Sequence, residues 1–238
     1  MKKLITILII IISFSACTKR DNRKVVNDVD NKTETKNDIK TVTIADLPIH
    51  IDSTDVMIHP IGSYVLSRNK SEYSEYGSYR SDSYSEMNGV SNSHGDRITG
   101  DISNLKFQNI NSNKLNSLTN RTLSIRSILF LRNIYKTTGN DYLLYDVIDK
   151  DTNADGEYNF KDIKTLYISN LDGSSFRKLS PNLQDMVNWK IILEANTLFF
   201  KSIEDSDNNG KFNKKDQMHY FYLNLNDDTS KVVEYYPI

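Results

Sequence analysis

The carboxyl half of this chain is written twice, and that leaves few folds open to it. Residues 151–162 read DTNADGEYNFKD, and residues 205–216, 54 positions later, read DSDNNGKFNKKD. Each stretch carries an oxygen-bearing side chain at positions 1, 3, 5 and 12 and a glycine at position 6. The likeness continues into residues 165–180 and 219–234, where Leu166, Ile168, Leu171 and Leu179 align with Tyr220, Tyr222, Leu225 and Val233. Apolar residues alternate with polar ones ahead of an Asx/Gly turn, which is the period of a half-buried strand entering a hairpin. A unit of this size cannot bury its apolar face alone, so the copies must stack.

A third copy lies 61 residues before the first, at 104–119, where Leu105, Phe107, Ile110, Leu115 and Leu118 take the places of Leu166, Ile168, Leu171, Phe176 and Leu179. Carried back one turn, the alignment reaches residues 90–101, a decayed loop in which Asn92, Gly95 and Asp101 hold ligand or hinge places while Val90 and His94 occupy the first and fifth. Each module reads as four strands. For the second module they are expected at 123–135, 142–148, 165–170 and 175–179, and for the third at 187–193, 198–203, 218–225 and 231–236. The first begins at Asp55. With 14 Tyr and 9 Phe and no long run of helix formers, the expected class is all-β. The expected architecture is repeated four-stranded antiparallel modules at about 55–120, 121–181 and 182–238, as a partial propeller or as stacked sheets.

The two loops carry the chemistry. A hard cation such as Ca²⁺ takes six to eight oxygens at about 2.3–2.6 Å, and a tight loop with alternate side chains turned inward supplies them. The expected ligands are the side chains of Asp151, Asn153, Asp155 and Asp162 with the carbonyl of Glu157, and those of Asp205, Asp207, Asn209 and Asp216 with the carbonyl of Lys211. Gly156 and Gly210 permit the sharp turn. The alternative is an Asx/Gly turn closed by its own side chain to backbone bonds, but several carboxylates in one tight loop repel without a cation. The loops resemble EF-hand calcium loops, with Tyr158 and Phe212 at position 8, where that family carries an apolar anchor. They depart from it at position 12, where aspartate stands for the longer bidentate glutamate, and the resemblance therefore implies modest affinity.

The N-terminus sets an address. Lys2 and Lys3 precede an apolar run over residues 4–12 that is too short for a permanent span of roughly 20 residues, which is the pattern of a secretory signal. Phe14-Ser15-Ala16-Cys17 resembles the lipobox of bacterial lipoproteins. That resemblance implies a signal peptide over 1–16, lipidation at Cys17 and, with Thr18 following rather than aspartate, an anchor in the outer membrane of the cell envelope. Cys17 is the sole cysteine, so an intrachain disulfide is impossible. Residues 17–45 are rich in Asp, Asn, Lys and Thr and read as a flexible tether, leaving 46–238 as the folded domain.

The segment 166–181, LYISNLDGSSFRKLSP, resembles TolB-like β-propeller repeats through Asp172-Gly173-Ser174, Arg177-Lys178 and Leu179-Ser180-Pro181, with Trp189 near the aromatic position of the next blade. Propellers have four to eight blades, so three modules imply an open arrangement. A net charge of −1 offers no field for nucleic acid. No Gly-x-Ser-x-Gly, His-Glu-x-x-His or phosphate-cradling loop is present, and the four histidines are scattered. The expected function is a calcium-stabilised envelope lipoprotein that binds a protein or glycan partner, or scaffolds, without catalysis. The alternative is a propeller-type hydrolase domain or its remnant. Residues 71–100, with tyrosines at 73, 76, 79 and 84, read either as one face of a weak strand or as part of a long mobile insertion.

Overall fold

The computed structural model describes residues 41–65, 90–92 and 95–238. The signal peptide, Cys17, the tether up to residue 40 and most of the Ser/Tyr-rich insertion lie outside the described residues. The fold is all-β, built as three antiparallel sheets that do not close on one another.

The first sheet runs β1 (Thr41–Ala45), β3 (Val56–Val65), β5 (Asn104–Asn109), β6 (Asn116–Ser117), with the short β2 (Ile49–His50) also paired to β3. The second runs β4 (Arg97–Ile102), β7 (Ser124–Phe130), β8 (Tyr142–Ile148), β9 (Thr165–Asn170), β10 (Arg177–Lys178). The third runs β11 (Gln184–Ile192), β12 (Thr197–Glu204), β13 (Gln217–Asn224), β14 (Val233–Tyr235). Without β2 and β4, each sheet is a four-stranded meander, and the three expected copies correspond to one sheet each.

Two cores hold the stack together. One joins Ile58, Leu105 and Phe107 of the first sheet to Leu143, Tyr145, Val147 and Tyr167 of the second. The other joins Tyr142, Leu144, Leu166 and Ile168 of the second sheet to Leu198, Phe200, Phe221 and Leu223 of the third. The second sheet is therefore covered on both faces, and β8 sends alternate side chains into different cores, as the two-residue period of a strand requires. β7 would fall out of phase but for a bulge between Ile125 and Ser127. The extra residue lets Ile125 and Ile128, three apart, enter the same core.

Three expectations need correcting. The strand expected over 123–135 ends at Phe130, and Arg132–Thr138 form helix α1. Ile134 of that helix is buried in the second core, and Gly139 closes it in the left-handed conformation at φ 81°, donating its N–H to the Tyr135 carbonyl. Thr41–Ala45, assigned to the tether by composition, form β1 against β3, and the first sheet thus begins before Asp55. The supposed decayed loop over 90–101 is no loop at its carboxyl end, because Arg97–Ile102 form β4, which crosses to pair with β7. Gly95 keeps a positive φ of 62°, as a hinge glycine does, while Asp101 lies in β4 and pairs with Arg126.

Candidate metal centre

The two oxygen-rich loops occupy equivalent places, 151–162 between β8 and β9 and 205–216 between β12 and β13. Many of their internal bonds recur at the same positions. At position 1, Asp151 Oδ2 accepts the Gly156 N–H at 2.8 Å and Asp205 Oδ2 accepts the Gly210 N–H at 2.7 Å. At position 3, Asn153 Oδ1 accepts the Asp155 N–H at 2.8 Å and Asp207 Oδ1 the Asn209 N–H at 3.2 Å. At position 5, Asp155 Oδ1 accepts the Glu157 N–H and Asn209 Oδ1 the Lys211 N–H, both at 2.9 Å.

Left-handed residues make this winding possible. Ala154 and Asn208 at position 4 have φ 59° and 54°, and Gly156 and Gly210 at position 6 have φ 78° and 74°. Asparagine adopts that region with little penalty and glycine with none, whereas Ala154 is strained by its Cβ.

Position 12 closes each loop. Asp162 is fully buried; its Oδ1 accepts the Thr152 N–H at 2.7 Å and its Oδ2 the Asn159 N–H at 3.0 Å. Asp216 does likewise with the N–H groups of Ser206 at 3.1 Å and Asn213 at 2.6 Å. The aspartate is thus short because its carboxylate must reach the loop's own backbone.

Two further positions belong to the site and were missed in the sequence. At position 2, the hydroxyls of Thr152 and Ser206 accept the N–H of Ile163 and Gln217, at 3.0 and 2.9 Å. At position 9, Asn159 and Asn213 accept the N–H of Lys161 and Lys215 through Oδ1, at 2.9 and 3.0 Å. Aligning the two loops with each other, rather than with a ligand template, reveals both: a β-hydroxyl at 2 and an identical Asn at 9. Tyr158 and Phe212 are half-buried and belong to neither core cluster, so position 8 does not anchor the loops to the main cores.

The loops differ in how far their oxygens converge. Oxygens that share one calcium at about 2.4 Å can lie no more than about 4.8 Å apart. One oxygen from each of Asp205, Asp207 and Asp216 falls within 4.8 Å of the others, and Asp205 is buried. Asp151, Asp155 and Asp162 do not converge to that limit; Asp155 Oδ2 instead takes the Asn153 and Asn159 amides at 3.3 and 3.4 Å. Asp151 Oδ1, however, is buried without a hydrogen-bond partner. A buried carboxylate oxygen without a donor is costly, and a cation at that point would satisfy it. The second loop thus offers a group of three carboxylates that could hold a hard cation, whereas the first offers only the unpartnered Asp151 oxygen. Of the carbonyls expected to contribute, that of Lys211 accepts the Asn213 amide at 3.3 Å.

Next to the second loop, His219 is held between two glutamates, Nδ1 with Glu234 Oε1 at 2.7 Å and Nε2 with Glu204 Oε2 at 2.9 Å. Its ring stacks on Phe221, a structural role in keeping with its alternation along the strand. A cavity of about 310 Å³ is lined by Phe130, Leu131, Ile134, Ile191, Asp96 and Arg132, among others. Asp96 and Arg132 are already joined by a bidentate ion pair, and no histidine lines the cavity. No protein-family model matches the chain, and no curated protein sequence does.

Proposed function

We propose that this is a calcium-stabilised lipoprotein of the bacterial cell envelope, anchored through Cys17 and acting by binding or scaffolding rather than catalysis. The observation that carries the calcium reading is the convergence of Asp205, Asp207 and Asp216 oxygens in a loop whose backbone already engages each carboxylate. The ion neutralises charges that otherwise repel across a loop only twelve residues long. Calcium then fastens the tips of two hairpins in adjacent sheets, a bracing role for an open, propeller-type stack without a closed ring. The anchor and outer-membrane address rest on the sequence of residues 1–18.

Calcium binding is tested by titration calorimetry on the full chain after chelation. The expected result is saturable heat in the range of extracellular modules, with a dissociation constant of roughly 10⁻⁴–10⁻³ M. Asn209→Ala and Asp155→Ala each reduce the heat, and melting temperature rises with calcium. Neither heat nor a change in melting temperature at millimolar calcium would remove the reading.

A further inference from the structure

Among the described residues, no further sheet packs on the outer face of the third sheet. In the first sheet Leu105 and Phe107, and in the second Leu166 and Ile168, point into the core shared with the following sheet. Their counterparts in the third sheet, Tyr220 and Tyr222, face away from the second core, which Phe221 and Leu223 enter, and no further sheet covers them among the described residues.

The register assembles two rows across this face. One contains Lys190, Phe199, Tyr222 and Val233, and the next Asn188, Lys201, Tyr220 and Tyr235. Tyr235 is the hub, with ring centroids 5.8 Å from Phe199, 5.9 Å from Tyr222 and 6.1 Å from Tyr220. Neither row contains a carboxylate. Glu204 and Glu234 sit with His219 toward the other side, and Asp185 is buried, accepting the Lys164 N–H. Lys190 and Lys201 have no ion-pair partner among the described residues, and the hydroxyls of Tyr220, Tyr222 and Tyr235 have no hydrogen bond there. The opposite end of the stack is different: His59 and Lys106 stand where the second sheet has Tyr145 and Tyr167, and His59 bonds Gln108. That face is the more polar of the two at these positions.

We propose that the outer face of the third sheet binds an acidic saccharide. Aromatic rings accept the C–H faces of sugar rings, the free tyrosine hydroxyls exchange hydrogen bonds with sugar hydroxyls, and the two ammonium groups pair with carboxylates. A second copy of this chain fits poorly, because like faces would bring lysines together, and the polar end offers Lys106 rather than an acid. Protein partners are disfavoured by lysine within the apolar patch, since interface cores are depleted in it. The proposal does not rest on the calcium loops.

The test is calorimetry of the full chain, in calcium, with oligosaccharides of hyaluronan and of galacturonate, and with neutral N-acetylglucosamine oligomers as control. At least one acidic series binds saturably and the neutral one more weakly. The double variant Lys190→Gln/Lys201→Gln, at one exposed and one half-buried surface position, keeps the fold by circular dichroism and lowers affinity roughly tenfold; Tyr222→Thr also weakens binding. Failure of both acidic series to bind, or binding indifferent to the lysine variant, overturns the proposal. So does sedimentation showing a dimer that Tyr222→Thr dissociates, which would give the face to a second copy.

Discussion

Within one loop, carboxylates of the same chemical type serve different ends. Asp162 is buried and receives the backbone N–H groups of Thr152 and Asn159, whereas Asp155 is exposed and bonds mainly within its own turn. Asp162→Ala would strand those donors in the interior, at about 1–3 kcal/mol for each one left unsatisfied. Asp155→Ala should change stability by no more than about 0.5 kcal/mol without calcium, as exposed substitutions do. Urea unfolding in chelator separates the two: a large loss for Asp155→Ala, or none for Asp162→Ala, would contradict the division. The sequence displays the loops' oxygen-bearing residues plainly, since Asp, Asn and Gly recur at the same spacing in both copies. It does not display that position 12 closes the loop or that Thr152 and Asn159 share in it, because a side chain bonded to nearby backbone has no ligand-like signature.

Among the elements, the β9–β10 hairpin has a turn that reaches beyond its own sheet. In Asp172-Gly173-Ser174 the aspartate accepts the Ser174 N–H at 2.9 Å, and Gly173 has φ 81°. A Cβ at Gly173 would lie 2.4 Å from the ring of Phe107, which is buried in the first core and cannot swing aside. Gly173→Ala should therefore cost at least about 2 kcal/mol, from the positive φ and from overpacking together. The restoring double variant Gly173→Ala/Phe107→Leu should recover part of it; a single variant as stable as the parent in thermal melts would show that the contact yields. Elements of this kind were readable where alternation is strong and turns are marked: β8 and β9 occupy the residues their pattern predicts. Helix α1 escaped because its seven residues continue an apolar strand, and only Gly139 marks the end. β1 escaped because Thr-Val-Thr-Ile-Ala is too short and too near a polar segment to stand out. β4 escaped because its partner strand lies in a neighbouring module, which no local period encodes.

At the scale of the whole molecule, both cores among the described residues include the second sheet, one with the first and one with the third, so stability should pass along the stack from neighbour to neighbour. Each oxygen-rich loop belongs to one sheet, 205–216 to the third and 151–162 to the second. An ion bound at ten times its dissociation constant adds about 1.4 kcal/mol to the state that holds it. That increment protects first the hairpin it closes, then the sheet sharing a core with it, and least the first sheet, which has no such loop among its described residues. Hydrogen exchange with and without calcium tests the order: amides of β12 and β13 and of β8 and β9 should slow most, and those of β3 and β5 least. In Asn209→Ala the gain in β12 and β13 should shrink, while β8 and β9 keep most of theirs. Equal slowing in all three sheets would mean that the stack opens as one unit, and that the shared middle sheet couples both cores more tightly than neighbour contacts alone require.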